Sequence, residues 1–304
     1  MSATMQAAAE FRAAGTDLSE RRRTGVSRGA IVDLVATAET SGITWDADGS
    51  ARIGAATSIA AIAADAQITR AYPGLAAAAG GLATPQIRNL ATIGGNLAQR
   101  SRCWYFRNPH FDCYRKGGSD CPSRAGNHLY AVAFDLGPCI APHPSTLAAA
   151  LLAYDATVTT DNRTALTIPQ VLGDGSNASS DHALHPGEAI RSIQLAAPLA
   201  NERAFYKRAI SRSYAEWPLV ELVVRATVSG GKFDAVYVAA GGIAPVPLRL
   251  TGVERAAAGA AASAATAEAA AKQAISGAKP LPMTGYKLDL LQGLVRDLLG
   301  RFAG

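Results

Sequence analysis

The sequence predicts a mixed fold of strands and helices, α/β or α+β, with a second domain beginning near residues 198–201. Short β-prone runs alternate with Ala-rich stretches that have helical spacing. Turn residues such as Asp48-Gly49 join neighbouring runs into hairpins. A long helical segment follows the last strands. With 304 residues, of which 49% are hydrophobic, the chain can bury a large core.

The predicted elements of the first part are short. Residues 1–9 read as a short helix or a frayed start. They are followed by a strand from Phe11 that leads into a turn at Gly15-Thr16, a helix, a strand at 32–35, a hairpin over 43–53, and helices over 59–68 and 75–81. Further along we expect a helix over 147–153 capped by Ser145 or Thr146, a hairpin over 156–168, a flexible loop over 173–180 and an edge strand over 190–195.

The predicted second domain begins with three strands, at 204–210, 222–228 and 235–240, with a turn at 229–231. Residues 241–249 break the sheet, because this run is rich in Gly and Pro. An Ala-rich helix over 256–275 and an amphipathic helix over 286–302 complete the chain. Helices that follow the strands of a sheet are expected to cover one of its faces.

Two glycine-containing turns are candidate ligand sites. Gly15-Thr16 lies between a strand and a helix, where free backbone N–H groups can bind a phosphate, although many strand-to-helix turns look the same. Gly94-Gly95 lacks Cβ atoms and reads as a turn whose backbone can closely approach a bulky ligand. No G-x-G-x-x-G follows a strand, so the sequence does not support NAD.

All four cysteines lie between residues 103 and 139. The surrounding segment, 102–127, has neither strand nor helix periodicity, so we expect something covalent or metallic to hold it. Zinc is disfavoured because no C-x2-C pair is present. Disulfides are disfavoured because residues 1–14 lack the features of a secretory signal. A 4Fe-4S cluster needs four thiolates and tolerates irregular spacing.

The charge distribution and the hydrophobicity of the sequence argue against a nucleic-acid-binding protein and against a membrane protein. The formal net charge of +5 is dispersed without a basic stripe, which argues against nucleic acid and is equally compatible with an acidic protein partner. No apolar run approaches the roughly 18 residues of a membrane helix, which predicts a soluble protein. We expect a cytoplasmic location, or a periplasmic one if a partner carries the export signal.

The run from Pro85 to Leu97 resembles the second flavin-binding motif of the FAD subunits of the molybdenum hydroxylases, the xanthine dehydrogenase family. The segment from Arg102 to Cys139 resembles the insertion of the flavin subunit of heterotrimeric aldehyde oxidoreductases. The resemblance covers nearly the whole chain. It implies an α+β fold, with a two-part FAD-binding domain of the vanillyl-alcohol-oxidase (PCMH) type over residues 1–200 and a CO-dehydrogenase-flavoprotein-like domain over 201–304.

The resemblance also implies a set of site residues. A 4Fe-4S cluster would be bound by Cys103, Cys113, Cys121 and Cys139. FAD would be bound by Arg12, Ala13, Ala14, Gly15, Thr16, Asp17, Leu18, Ala91, Thr92, Gly94, Gly95, Asn96, Thr146, Ile190 and Lys207. At position 146 most relatives have an acidic residue that helps to anchor the flavin, so the threonine is a departure from the family pattern.

The implied function is electron transfer. A partner subunit with a molybdenum cofactor would oxidise an aldehyde or N-heterocycle, and a small partner with two 2Fe-2S clusters would pass the electrons to FAD on this chain and then to an external acceptor. No catalytic residue is expected here, because the cofactor carries the redox chemistry. Two other interpretations remain: a stand-alone flavin oxidase, and a zinc- or disulfide-braced binding module without flavin.

Overall fold

The computed structural model describes residues 9–212 and 215–303. The expected N-terminal helix or frayed start therefore lies outside the described residues, apart from Ala9. The strands are β1 (Glu10–Arg12), β2 (Ile31–Asp33), β3 (Ile43–Trp45), β4 (Ala51–Gly54), β5 (Thr157–Thr160), β6 (Leu166–Thr167), β7 (Ile190–Leu195), β8 (Arg203–Ala209), β9 (Val220–Ser229), β10 (Lys232–Gly241) and β11 (Leu248–Arg249).

Apart from the last one, the helices are short. They are α1 (Leu18–Arg23), α2 (Ile59–Ala64), α3 (Ala66–Ala71), α4 (Pro73–Gly81), α5 (Pro85–Leu90), α6 (Ile93–Leu97), α7 (Trp104–Arg107), α8 (Pro122–Ala125), α9 (Thr146–Ala153), α10 (Ile168–Leu172), α11 (Thr251–Ala257), α12 (Ala264–Gln273) and α13 (Tyr286–Gly300). Residues Tyr114–Lys116 form one turn of 3-10 helix.

The first part of the chain contains two sheets. Strands β1 and β2 form a parallel pair, as expected from the strand–turn–helix unit between them. The other sheet has five strands in the order β3-β4-β7-β5-β6, and all its pairs are antiparallel. The prediction that 190–195 is an edge strand is therefore wrong. Strand β7 is central because Ile193 pairs with Ile53 on one side and with Val158 on the other.

Two predicted helices are each divided in the structure. The expected helix over 59–68 ends at Ala64, because the Asp65 side chain accepts from the N–H groups of Gln67 and Ile68 and starts α3. The expected Ala-rich helix over 256–275 is replaced by α11 and α12, and Gly259 between them has a φ of +76°. A new N-cap residue divides the first predicted helix, and a glycine in the αL conformation ends the second. The prediction from helix propensity alone was therefore too long in both cases.

The second part is a four-stranded antiparallel sheet in the order β11-β10-β9-β8, covered by α11, α12 and α13. One apolar core lies between this sheet and its helices, and includes Leu222 and Leu298. A second core fills the first part and also takes in Val223 and Ala239 from the opposite face of the same sheet. The two parts are thus packed against each other through strands β9 and β10.

Candidate functional site

A cavity of about 450 Å³ lies where β1, α6 and β7 meet, and we call it the large cavity. Its volume falls in the range of small-molecule sites in proteins. It brings together eleven of the predicted FAD residues: Arg12, Ala13, Ala14, Gly15, Thr16, Asp17, Leu18, Thr92, Gly94, Gly95 and Ile190. Two segments separated by more than 70 positions in the sequence therefore face one another across a single cavity.

The loop after β1 presents its backbone to the large cavity. Gly15 has a φ of +74°, which an L side chain rarely adopts, and a Cβ built there would lie 3.0 Å from Ser19 Oγ. Among the described residues, the N–H groups of Ala14, Gly15 and Thr16 donate to no protein acceptor. Free backbone donors beside a helix start are suited to bind the oxygens of a phosphate group.

The second glycine motif differs from its prediction. Gly94-Gly95 is not a turn but the first turn of α6, which Thr92 caps by accepting from the Gly95 N–H at 3.1 Å. The Gly94 N–H donates to Ala55 O at 2.9 Å, so both glycine donors are used inside the protein. A Cβ on Gly94 would lie 2.8 Å from Ala55 Cβ, whereas one on Gly95 would lie 3.1 Å from Thr92 Oγ1 and 3.9 Å from Ala13 Cβ. Gly94 thus permits close packing against Ala55, and the missing side chain of Gly95 leaves room beside Ala13.

Four of the predicted FAD residues do not line the large cavity. Ala91 is buried and accepts from the Ile59 N–H. Asn96 Oδ1 accepts from Ser145 Oγ at 2.6 Å, and Ser145 is the residue that caps α9. Thr146 is buried in the first turn of α9. Lys207 lies on β8 and its Nζ is 2.9 Å from Asp297 Oδ2, so the implied contact with flavin stays a prediction.

Asp17 connects the large cavity to residues 102–139, which contain all four cysteines and which we call the cysteine-containing segment. Its carboxylate is 2.7 Å from Arg107 and 3.0 Å from Arg102, and it also pairs with Arg21 at 3.1 Å. Burial alone would raise the pKa of Asp17, but these three guanidinium groups outweigh it and lower the pKa below its usual value. The predicted phosphate loop is therefore anchored by charge to residues more than 80 positions away.

Sequence reasoning missed the polar residues at the other end of the large cavity. Asp161 and Arg191 form an ion pair there, and the buried Glu188 pairs with Arg163 at 2.6 Å. The hairpin turn at Asp161-Asn162 and the start of β7 are visible in the sequence. What the sequence does not show is that β7 inserts beside β5, which is what brings these residues together.

The four cysteines surround one small cavity of about 10 Å³. None of them forms a disulfide. Arg115 Nε donates to Cys139 Sγ at 3.1 Å, and the Arg115 guanidinium also pairs with the buried Asp181. A hydrogen bond from Cys121, followed by the Arg115 charge, lowers the pKa of Cys139 below its usual value. The structure thus brings together the four thiols that the sequence grouped only by proximity.

The side chains around the small cavity are of the type that binds an iron–sulfur cluster, but they are not spaced to bind one in this structure. Four thiols and no carboxylate line the cavity, which is the ligand type of iron–sulfur clusters. However, within residues 9–212 and 215–303 no three His, Cys, Asp or Glu side chains are arranged to hold a metal ion. The thiols would have to turn outward to admit a cluster, because a cavity of about 10 Å³ has room for about one water at most.

In the part of the chain that the structure describes, no helix is both long enough and apolar enough to span a bilayer. This agrees with the absence of a long apolar run in the sequence.

Two family models match consecutive parts of the chain. A family model described as FAD binding domain in molybdopterin dehydrogenase matches residues 2–198. A second model, described as CO dehydrogenase flavoprotein C-terminal domain, matches residues 204–302. The predicted fold class, an FAD-binding domain followed by a CO-dehydrogenase-flavoprotein-like domain, is thereby confirmed.

Curated relatives match over part of their length. The chain is 35% identical to the aldehyde oxidoreductase FAD-binding subunit PaoB of Escherichia coli (strain K12) over 66% of this chain and 64% of that protein. It is 51% identical to a xanthine dehydrogenase FAD-binding subunit of Escherichia coli O157:H7 over 22% of this chain and 23% of that protein. The chain therefore matches less than two thirds of the length of these relatives.

Solved structures match over almost the entire chain. A carbon monoxide dehydrogenase from Hydrogenophaga pseudoflava has a TM-score of 0.74 at 22% identity, covering 97% of this chain and 89% of that one. Quinoline 2-oxidoreductase from Pseudomonas putida 86 has a TM-score of 0.74 at 17% identity with the same coverage. At these identities the likeness shows the fold.

Proposed function

The chain belongs to the family of FAD-binding subunits of the xanthine dehydrogenase and CO dehydrogenase type, and from this we propose that it binds one FAD in the large cavity. The observation that carries the proposal is that eleven predicted FAD residues from three separate segments line this one cavity. The free N–H groups of Ala14, Gly15 and Thr16 would bind the pyrophosphate. We also infer a domain boundary near residue 200, which the matched ranges 2–198 and 204–302 support.

The chain's own residues bind and orient the cofactor. FAD, when bound, supplies the capacity to take up two electrons and release them one or two at a time. The missing side chain of Gly95 would leave room for the cofactor beside Ala13, and Asp17 would hold the first loop in place through its three arginine partners. No side chain of this subunit is assigned as a nucleophile or general base.

We propose that the chain acts inside a larger complex. A large subunit with a molybdenum cofactor would oxidise an aldehyde or N-heterocycle, and a small 2Fe-2S subunit would carry electrons to this chain and onward to an external acceptor. The relatives in sequence support this role: an aldehyde oxidoreductase FAD-binding subunit and a xanthine dehydrogenase FAD-binding subunit.

We further propose that Cys103, Cys113, Cys121 and Cys139 bind a 4Fe-4S cluster. All four thiols line one cavity and none is in a disulfide. Arg115 and Cys139 are in contact already, so a positive charge is in place beside a thiolate ligand. The cluster would replace the present thiol–thiol contacts, and the Cys121–Cys139 hydrogen bond would be lost when both sulfurs ligate iron.

The deciding experiment is anaerobic analysis of flavin, iron and sulfide in the purified chain, together with its visible spectrum. We expect about one FAD and about four each of iron and sulfide per chain. Flavin without iron would reassign the cysteines to zinc or to free thiols. A colourless protein without either would contradict the whole proposal and favour a binding module.

Matched variants separate the two cofactors. Gly95→Val would fill the space between Gly95 and Ala13, so we expect FAD content to fall with iron retained. Gly293→Ala is the control, because a Cβ there meets no atom within 4 Å. Cys113→Ser should have the opposite result, with iron and sulfide lost and most of the FAD retained. Loss of both cofactors in both variants would mean that the two sites fold as one unit.

A further inference from the structure

A second cavity, of about 290 Å³, lies between the cysteine-containing segment and the C-terminal domain. It shares no lining residue with the large cavity, and the proposed function does not use it. Its volume corresponds to about ten waters at about 30 Å³ each, which is room for an aromatic compound of one or two rings. We call it the interdomain cavity.

Lys287 is the charged group of the interdomain cavity that has no acidic partner. Its side chain is 1% exposed, and its Nζ donates to the carbonyl oxygens of Gly242 at 2.7 Å and Tyr130 at 3.2 Å. Among the described residues no carboxylate lies within 4.0 Å of Nζ, and burial lowers the pKa of Lys287 to about 7. A buried ammonium without a counter-ion is costly, and a bound anion would remove that cost.

The other groups around the interdomain cavity that could carry charge are paired or are kept neutral by burial. Within the described part of the chain, His143 Nε2 is buried without a hydrogen-bond partner, and burial lowers the pKa of His143 to about 4, so this imidazole is uncharged. Arg102 pairs with Asp17 and Glu20, and Glu216 pairs with Arg212. Glu221 is 1% exposed and accepts from Tyr206 Oη at 2.9 Å, and burial raises its pKa to about 7. Lys287 is therefore the group whose charge a ligand would balance.

Exposed aromatic side chains line the same cavity. Trp104 is 58% exposed, Trp217 is 50% exposed and Tyr130 is 41% exposed, although such large apolar side chains are usually buried. Trp104 and Tyr130 meet edge to face with centroids 5.2 Å apart, and the Arg102 guanidinium lies 4.6 Å from the Trp217 ring centroid. Rigid aromatic surfaces of this kind bind planar ring systems.

From these observations we propose that the interdomain cavity binds a planar aromatic monoanion, such as an aromatic carboxylate, with its charge at Lys287 and its ring against Trp217 and Trp104. The anion supplies the counter-ion that the protein lacks at this position. The ring covers apolar surface that would otherwise face water. The interdomain cavity shares no lining residue with the large cavity, so this proposal and the proposed FAD site are tested separately.

The test compares two ligands of nearly equal shape in the purified full-length chain. 1-Naphthoate carries the carboxylate, and 1-naphthamide replaces it with a neutral amide; binding of each is measured by isothermal titration calorimetry. We expect naphthoate to bind about tenfold more tightly, because a hydrogen bond to a charged group is worth roughly 1.5–3 kcal/mol. In Lys287→Met we expect this preference to fall to about one. Lys272→Met, which removes an exposed lysine of α12, should keep it.

A second variant keeps the proposal testable if Lys287→Met does not fold. Trp217→Ala changes a half-exposed side chain and should weaken both ligands by a similar factor, leaving the naphthoate preference intact. Unchanged binding in Trp217→Ala, equal binding of the two ligands to the unmodified chain, or no saturable binding would each overturn the proposal.

FAD content, measured on the same samples, separates this proposal from the proposed function. If Lys287→Met or Trp217→Ala folds but loses its FAD, the cavity belongs to the flavin and the inference is overturned. If the unmodified chain contains no flavin yet shows the expected naphthoate preference, the inference stands and the proposed function does not.

Discussion

The large cavity and the cysteine-containing segment are built on different principles. The large cavity is lined by strand ends, a helix start and small residues such as Ala13 and Gly95, and backbone hydrogen bonds hold most of its walls, with ion pairs at Asp17 and Asp161. The cysteine-containing segment has helices of only three or four residues, and it depends more on ion pairs. The most buried of these is the pair between Arg115 and Asp181, with side chains 2% and 1% exposed.

This difference has a consequence for stability. A wall made of regular hydrogen-bonded structure tolerates the loss of a single side chain, because the backbone contacts remain. A segment held by buried charges does not, because removing one partner leaves the other charge buried and unpaired. The cysteine-containing segment should therefore be the more sensitive of the two regions to single substitutions of its polar residues.

The largest effect is expected from Asp181→Leu. Asp181 pairs with Arg115 and, at 2.6 Å, with Arg100, and these guanidiniums outweigh burial and lower its pKa to about 2. Its loss would leave the buried Arg115 and the partly buried Arg100 without their acidic partner, so we expect the free energy of unfolding to fall by about 3–5 kcal/mol in urea denaturation. Asp297→Leu, which breaks an exposed pair, is the control and should cost at most about 1 kcal/mol. Equal losses would contradict the comparison.

Glu221 sharpens the comparison, because it is a buried carboxyl group in contact with hydroxyl donors instead of paired guanidiniums. Burial raises its pKa to about 7 from 4.5, so the folded state favours the protonated form. Its contribution to stability is complete below about pH 4.5 and is lost as the pH rises through 7.

Glu221→Gln mimics the protonated form at every pH. We expect the variant to match the unmodified protein near pH 4.5 and to be more stable by up to about 3 kcal/mol at pH 8, measured by urea denaturation at both values. A variant that is less stable at pH 8 would show that the carboxylate has a cation partner there.

Asp17→Asn tests the connection between the two regions. The change removes the charge that Arg21, Arg102 and Arg107 share, so we expect a loss of about 1–3 kcal/mol in stability. Because Asp17 also lines the large cavity, FAD should dissociate more readily from the variant, as measured by flavin fluorescence on dilution. Glu39→Gln, at an exposed position, should change neither quantity.

The smallest effect is expected from Lys207→Met. The pair with Asp297 is half-exposed, so its loss should change the unfolding free energy by at most about 1 kcal/mol. The FAD content of the same variant tests the implied contact with flavin. Retained FAD would leave Lys207 as a surface residue paired with α13, and a loss would mean that the side chain leaves Asp297 when flavin binds.

Much of the fold could be predicted from local sequence. The strand–turn–helix unit at Gly15, the hairpins at 43–53 and 156–168 and the final helix all follow from patterns within about ten residues, and the structure confirms them. The predictions of secondary structure were wrong where a capping residue or the pairing of distant strands outweighed the local sequence pattern. Asp65 starts a new helix inside an apolar repeat, and β7 takes a central position that its short sequence does not indicate.

By itself, the sequence determined which residues are chemically suited to the sites: free backbone donors at a glycine turn, two further glycines and four thiols. These depend on residue type and short spacing, which a chain carries before it folds. Only the tertiary structure decided that residues 12–18 face residues 92–95, that Arg100 and Arg115 meet Asp181, and that Lys287 is buried without an acid. These contacts join positions far apart in the chain, and their energies depend on burial, which no local pattern specifies.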